Sequence, residues 1–226
     1  SSYMAQNSFT NIYLTPEAEH LPATQRAFRL LGYPEYRIVG APTDIPPQDQ
    51  NQSTLFITSY RGQTVHKCPG SRGHLCCNYL TIDLYLGCSL GCSYCIMKSY
   101  LNFSPLTVYA DPAPSLKRIQ TLAQQYPHLI LRVGTGETGD SLLLDPLFDL
   151  SRPLIEGLAD LPNVYLELKT KTTHVDHLLD IPTKGNAIIA FSLNAKEIQE
   201  REEGTSASIE ERIDAAIKAS SAGYNL

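Results

Sequence analysis

The stretch YLTIDLYLGCSLGCSYC, residues 79–95, joins a strand-like run to three closely spaced cysteines. Residues 79–87 are rich in leucine, isoleucine, threonine and tyrosine, which predicts a single β-strand. Cys88, Cys92 and Cys95 follow at once, with three residues between the first two and two between the last two. Parallel α/β folds place their chemistry where strands end, so a functional site is expected directly after this strand.

Three thiols at this spacing fit several kinds of site. Three thiolates can hold three irons of a four-iron cluster and leave the fourth iron open for a substrate, which a closed structural site does not do. A zinc knuckle needs a fourth ligand, which could come from His74 or from another cysteine of the set Cys68, Cys76 and Cys77. A disulfide pair is the third possibility. The spacing favours the open iron–sulfur cluster.

Composition narrows the class of protein. The 226-residue chain has a formal net charge of −5, so it carries no overall basic signal for nucleic acid. All six cysteines lie between residues 68 and 95, and no secretory signal opens the chain, which favours metal binding in a reducing compartment over a disulfide scaffold. No run approaches the roughly 18 apolar residues of a membrane span. We therefore expect a cytoplasmic protein without a membrane partner.

From residue 79 onward, strand and helix patterns alternate four times. Strands are predicted at YLTIDLYLG, HLILRVG, NVYLELKTK and NAIIAFSLN, and helices at PSLKRIQTLAQQY, SLLLDPLFDLSRPLIEGLAD (interrupted by proline), THVDHLLD and SIEERIDAAIKASSAG. The apolar strands are expected to be buried on both faces, as in a parallel sheet. The pattern predicts an α/β fold, either doubly wound or a partial β/α barrel.

The pattern divides the chain into two parts. Residues 1–78 are interpreted as an N-terminal appendage with one helix near ATQRAFRLLG, a short strand at STLFITS and a cysteine-containing loop, and residues 79–226 as an incomplete barrel. The final residues, GYNL, look like the start of a fifth strand. On this pattern the chain is expected to be truncated at its C-terminus.

Glycines and polar residues that follow the other predicted strands are candidate site residues, and each group has two interpretations. Gly134, Gly136 and Gly139 in RVGTGETGDSLLLD suit either a plain strand-to-helix turn or a loop that approaches a ligand closely. Lys171 could be a solvated surface charge or a partner for a carboxylate. His174 and His177, three residues apart on a short helix, could ligate a metal or act as ordinary packing and surface residues.

The cysteine spacing, with Tyr94 before the last cysteine, resembles the C-x3-C-x2-C motif of the radical S-adenosylmethionine (SAM) superfamily. The resemblance implies a [4Fe-4S] cluster held by Cys88, Cys92 and Cys95, with the open iron bound by the amino and carboxylate groups of SAM. Reductive cleavage of SAM would then release a 5′-deoxyadenosyl radical that takes hydrogen from a substrate. An electron donor such as flavodoxin or ferredoxin is implied as a partner.

The segments KTKTTHVDHLLD, AFSLN and EEGTSASIEERIDAAIKASSAGY resemble the spore photoproduct lyase branch of that superfamily. The resemblance covers roughly residues 79–226 and implies lyase activity in DNA repair, on a thymine photoproduct. It implies that SAM is contacted by residues that follow the barrel strands; these are Tyr94, Gly136, Glu137, Asp140, Lys171, Ser192 and Asn194.

The chain departs from this branch at one position. Glu137 stands where the lyase has the cysteine that returns a hydrogen atom to the product, and no cysteine occurs after Cys95. A carboxyl O–H is a poor hydrogen-atom donor compared with a thiol S–H, so no catalytic residue is assigned. Cys76 or Cys77 could serve the step, although packing or a second metal site with Cys68 is the favoured role of that pair. The alternatives are a radical SAM enzyme for a peptide or small metabolite, and a non-catalytic metal-binding module.

Overall fold

The protein forms an α/β structure with two mainly parallel sheets. The computed structural model describes residues 9–59, 65–67, 79–87, 104–137, 139–192 and 208–226. All six cysteines, Tyr94 and Asn194 lie outside these described ranges, and so do the predictions made for them. Within the described ranges, no helix has both the length and the apolar character needed to span a bilayer.

The first sheet, sheet A, has five strands in the order β2-β1-β3-β7-β6. Its strands are β1 (Asn11–Leu14), β2 (Arg37–Ile38), β3 (Thr54–Thr58), β6 (Tyr85–Leu86) and β7 (Leu106–Tyr109). All neighbours are parallel except β6 and β7. The N-terminal residues therefore share a sheet with strands from the middle of the chain. The proposed division at residue 78 stays a prediction.

The second sheet, sheet B, has the order β10-β9-β8-β5-β4. Its strands are β4 (Val65–Lys67), β5 (Tyr79–Ile82), β8 (Leu131–Gly134), β9 (Val164–Thr170) and β10 (Ile188–Phe191). The last four are parallel and lie side by side in chain order, while β4 is antiparallel to β5. Asn225, in the stretch predicted to start a fifth strand, forms an isolated parallel bridge with Ile188 of β10. The α/β prediction is confirmed, and this order is consistent with a partial barrel.

Five α-helices connect or cover the strands of the described part of the chain. They are α1 (Pro22–Leu30), α2 (Ala113–Gln125), α3 (Asp145–Phe148), α4 (Ser151–Leu158) and α5 (Ile209–Ser221). Short 3-10 helices lie at Pro16–Ala18, Pro42–Asp44, Pro47–Asp49 and Asp176–Leu178. Ser208 begins α5 as predicted, because its side chain accepts from the Glu211 N–H in a capping box.

The predicted single strand over residues 79–87 is wrong. The chain leaves sheet B after β5, turns at Asp83 and Leu84, and enters sheet A as β6. Asp83 is a poor strand residue, and its carboxylate lies 3.2 Å from Nε2 of His66 on the neighbouring strand β4. The stretch before the cysteines therefore joins the two sheets.

The predicted proline break in the helix over residues 141–160 is also misplaced. Pro146 lies in the first turn of α3, where proline is tolerated, and Pro153 lies near the start of α4. The helix ends instead at Asp149, which adopts a left-handed conformation with φ of 52°. The interruption therefore comes from a helix cap at Asp149.

One hydrophobic core runs through both sheets, with Leu55 and Val108 from sheet A and Val133 and Leu168 from sheet B all buried. The expectation that every strand is buried on both faces is wrong for β9. Its residues alternate strictly between buried and more exposed, because only one face packs on the core. The other face of β9 carries polar side chains, and those side chains lie beside the candidate site.

Candidate functional site

The predicted polar residues within the described ranges lie at one end of sheet B. Gly136, Glu137 and Asp140 follow β8, Lys171 follows β9, and Ser192 follows β10. Because these three strands are neighbours and run parallel, their carboxyl ends meet at the same edge. The structure therefore brings these five residues to one edge of sheet B.

The cysteine segment begins at the same edge. Gly87, which directly precedes Cys88, forms a parallel bridge with Gly139, which directly precedes Asp140. A Cβ atom on Gly139 would lie only 2.6 Å from the Tyr85 carbonyl oxygen and 2.9 Å from that of Gly87. Only glycine permits this backbone approach, so the role of Gly139 is more specific than that of an ordinary turn residue.

Asp140 holds the ends of β8 and β9 together. Its Oδ1 accepts hydrogen bonds from the Leu142 and Leu143 N–H groups and from the Thr170 hydroxyl, at 2.9, 3.0 and 2.7 Å. Its Oδ2 accepts from the Lys171 N–H at 2.8 Å. Burial raises the pKa of the Asp140 carboxyl, while these hydrogen bonds act in the opposite direction. Both oxygens thus have backbone partners, which makes Asp140 an organiser of the edge.

Ser192 is fixed through its backbone. Its N–H donates to the Thr170 carbonyl at 3.0 Å, and its own carbonyl accepts from Nη1 of Arg212. Since Thr170 is bonded to Asp140, a continuous row of hydrogen bonds links the ends of β8, β9 and β10. Lys171 and Ser192 are therefore presented from one hydrogen-bonded edge.

Glu137 belongs to a charged cluster on the polar face of sheet B. The Tyr79 hydroxyl donates to its Oε1 at 3.2 Å, and Nζ of Lys169 lies 3.8 Å from the same atom. Burial and the nearby carboxylates of Glu137 and Glu167 raise the pKa of Tyr79. Glu137 remains 40% exposed, so its carboxylate is accessible from solvent.

Two glycines make room for this cluster. A Cβ atom on Gly134 would lie 1.9 Å from the Tyr79 hydroxyl oxygen, so the tyrosine ring crosses the strand where no side chain stands. A Cβ atom on Gly136 would lie 3.0 Å from Oγ of Ser141 and 3.1 Å from Cβ of Lys169. The glycines of this segment therefore serve close packing, whatever else they contact.

The two histidines have different hydrogen-bond partners. Nδ1 of His174 lies 3.3 and 3.2 Å from the carbonyl oxygens of Leu142 and Leu143, so this nitrogen carries the proton. Burial lowers the pKa of His174. Nε2 of His177 lies 2.6 Å from Oδ2 of the fully buried Asp145.

Asp145, Asp149 and His177 each place one potential ligand atom within 4.8 Å of the others. The guanidinium of Arg152 already binds one member of this group, since its Nε donates to Oδ2 of Asp149 at 2.8 Å. The Tyr85 hydroxyl also donates to Asp145 at 2.6 Å. These contacts give the group the character of a buried hydrogen-bond network.

Sequence reasoning missed Tyr79, Lys169 and Arg212. The first two became recognisable only from the strand register, because their side chains meet across neighbouring strands. Arg212 could have been noticed in the sequence. It lies three residues before Ala215 and seven before Ala219, a spacing that puts it on the buried face of α5. An arginine on an apolar helix stripe is uncommon enough to suggest a specific partner.

The comparisons with known proteins agree on one family. A family model described as spore photoproduct lyase matches residues 72–226. A spore photoproduct lyase from Geobacillus sp. (strain Y412MC61) is 30% identical over 227 residues, covering 95% of this chain and 65% of the relative. The enzyme of the same name from Bacillus subtilis (strain 168) is 30% identical over 148 residues, covering 64% of this chain and 43% of the relative.

A solved structure of a spore photoproduct lyase in complex with a dinucleoside spore photoproduct superposes with a TM-score of 0.82 at 24% identity. The match covers 97% of this chain and 67% of the solved one, and at this identity it supports the fold alone. The chain spans about two thirds of the length of the Geobacillus relative, at 65%. The predicted resemblance is confirmed by the family model and by the two curated relatives, and the chain belongs to the spore photoproduct lyase family.

Proposed function

We propose that this chain carries the radical SAM core of a lyase that acts on thymine photoproducts in DNA. The bridge between Gly87 and Gly139 carries the proposal, because it sets the start of the cysteine segment beside the polar strand ends. A cluster and the ligand of its open iron require neighbouring sites. The closeness of Gly87 to the polar residues at this edge of sheet B supports such an arrangement.

The residue types at this edge fit the two groups that the family implies. Cys88, Cys92 and Cys95 would hold the [4Fe-4S] cluster through the spacing of the motif. When bound, cluster and SAM together would supply the radical chemistry that abstracts hydrogen from the substrate. The protein's share is to bind SAM, orient it and exclude water.

Each end of the SAM amino-acid group has a matching set of side chains. The Lys171 ammonium and the Ser192 hydroxyl are donors, which suit the carboxylate. Gly136 offers backbone groups and Glu137 an exposed carboxylate, which suit the N–H donors of the amino group. Asp140 keeps Lys171 in place through its backbone. Tyr94 and Asn194 remain predicted contacts outside the described residues.

The substrate and the other partners rest on family membership. One relative is described as complexed with a dinucleoside spore photoproduct, which supports a DNA-type substrate for this chain. Flavodoxin or ferredoxin would serve as the electron donor, and a reducing cytoplasm would suit thiolate ligands.

One observation favours a second candidate, a radical SAM reaction on a non-DNA substrate. Glu137 stands at the position of the family's hydrogen-donor cysteine, and it is engaged by Tyr79 and Lys169. A carboxylate held in this way would bind a cationic or hydrogen-bond-donating substrate group rather than return a hydrogen atom. A peptide or small metabolite would provide such a group.

The test is an anaerobic assay of the reconstituted protein with dithionite, SAM and UV-irradiated DNA. We expect both 5′-deoxyadenosine and loss of the thymine photoproduct, and neither from the control variants Cys88→Ala, Cys92→Ala and Cys95→Ala. Formation of 5′-deoxyadenosine without photoproduct loss would favour the second candidate. Full SAM cleavage by any of the three variants would contradict the cluster assignment.

A further inference from the structure

Arg212 is the largest fully buried side chain of the described residues, with 0% exposure. A guanidinium withdrawn from water is costly unless its donors meet well-placed acceptors. Arginine also keeps its charge in proteins. A buried cation on a surface helix therefore calls for a specific reason.

The contacts of Arg212 point to the candidate site. Nη1 donates to the Ser192 carbonyl at the end of β10, and Nε donates to the Ser208 carbonyl at 3.4 Å. Ser208 is the N-cap of α5, so the guanidinium links the end of a strand to the start of a helix. The fork of donors joins two points that lie sixteen residues apart in the sequence.

The Ser192 backbone is held from two sides as a result. Its N–H is bonded to the Thr170 carbonyl and its carbonyl to Arg212. Thr170 is in turn bonded to Asp140, which also binds the Lys171 N–H. Arg212 thus ends the row of hydrogen bonds that begins at Asp140, on the side away from β8.

We propose that Arg212 is a positioning residue that holds Ser192 for the carboxylate of bound SAM, with its buried charge adding to that of Lys171. This inference rests on the proposed function. Removing the guanidinium deletes its hydrogen bond to the Ser192 carbonyl. It also removes a positive charge close to this edge of sheet B. Binding of an anionic group should then weaken more than binding of the same ligand without that group.

The experiment compares SAM with decarboxylated SAM as ligands of the anaerobically reconstituted protein. Equilibrium dialysis gives a dissociation constant for each, and their ratio measures selectivity for the carboxylate. In Arg212→Gln we expect this selectivity to fall about tenfold, with iron content unchanged. A general loosening of the fold would weaken both ligands equally and leave the ratio as it is.

The matched control is Lys218→Met, on the same helix. Lys218 is 59% exposed and pairs with Asp176 at 3.3 Å, so the same charge is removed without touching Ser192. We expect wild-type selectivity in this variant. Hydrogen–deuterium exchange of the peptide that contains Ser192 should be faster in Arg212→Gln than in Lys218→Met, before any cofactor is added.

The outcomes separate this inference from the proposed function. If the wild-type protein binds no SAM, the proposed function fails and the inference falls with it. If the wild type binds SAM and folded Arg212→Gln keeps full selectivity, only the inference is overturned. Should Arg212→Gln not fold, Arg212→Lys decides: it replaces the fork with one amine and should lose selectivity about threefold. Unchanged selectivity in Arg212→Lys would then overturn the inference.

Discussion

At the scale of single residues, the candidate site contains side chains that we propose to contact a ligand and side chains that hold its backbone in place. Asp140 matched a family position for SAM binding, yet both of its oxygens accept hydrogen bonds from the protein itself. Lys171 donates one of these bonds through its backbone N–H. An ammonium suits a ligand carboxylate, so the side chain of Lys171 is the group that we expect to contact the ligand.

Lys171→Ala tests this division of roles. We expect SAM binding to weaken by about 1.5–3 kcal/mol, the size of a charge-assisted contact, while iron content stays normal. Calorimetric titration under anaerobic conditions measures the first quantity and iron analysis the second. Lys117→Ala, an exposed lysine of α2, is the control and should bind SAM normally. Loss of iron with unchanged SAM affinity would assign Lys171 to the cluster or the fold instead.

Some of the site was predictable from single residues and some was not. The family resemblance supplied Lys171 and Ser192 as candidates, and the hydrophobic patterns predicted the strands that precede them. Tyr79 could not be found in this way, because its contact with Glu137 depends on the pairing of β5 with β8 and on the empty position at Gly134. The Tyr79–Glu137 contact joins residues that lie 58 positions apart in sequence.

At the scale of elements, a buried network fixes α3 to its neighbours. The Asp145 carboxylate is fully buried and binds the Tyr85 hydroxyl, the Ser151 N–H and the His177 ring. These partners come from β6, from α4 and from the short helix after β9. One carboxylate thus connects three elements around the end of sheet B that carries the site.

Asp145→Ala should be strongly destabilising. Removing the carboxylate leaves a buried tyrosine hydroxyl and the His177 ring without their acceptor, and breaking a buried pair typically costs about 3–5 kcal/mol. Urea unfolding followed by circular dichroism measures the change in the free energy of unfolding. Asp180→Ala serves as the control, because Asp180 is 79% exposed and should change stability little. Equal stability of the two variants would contradict the role given to Asp145.

Helices were easier to predict than their boundaries. The capping residue Ser208 and the acidic first turn of α5 are local signals that act within four residues. The break between α3 and α4 depends on the left-handed conformation of Asp149, whose carboxylate binds Arg152. Proline was the wrong guide there, since both prolines lie where a helix accepts them.

At the scale of the whole molecule, the two sheets are joined where the cysteine segment begins. The chain passes from β5 in sheet B to β6 in sheet A, and Gly87 then returns to bridge Gly139. Sequence patterns did predict the parallel strands of sheet B. Of sheet A they predicted β3 as a separate strand, within STLFITS, but not the sheet itself, because β2 and β6 have only two residues each and carry no periodicity.

Gly139→Ala tests the importance of this junction. The added Cβ would lie 2.6 Å from the Tyr85 carbonyl, so the backbone must shift, at a cost of about 1–3 kcal/mol. We expect lower iron content after reconstitution as well as lower stability. Gly40→Ala is the control, since its Cβ would meet only the end of the Asp44 side chain, at 3.3 Å. Normal iron content in Gly139→Ala would mean that the bridge is not needed for the cluster site.

The passage of the chain through sheet A also has a kinetic consequence. Strands β8, β9 and β10 follow one another in the sequence with no other strand between them. By contrast, β6, β7 and α2 lie between β5 and β8 in the sequence, although β5 and β8 pair. Closing a long loop costs more entropy than closing a short one, so contacts distant in sequence form late. We therefore expect the β8–β10 unit to assemble first and β5 to dock near the end of folding, which makes the junction beside the cysteine segment one of the last parts of the protein to form.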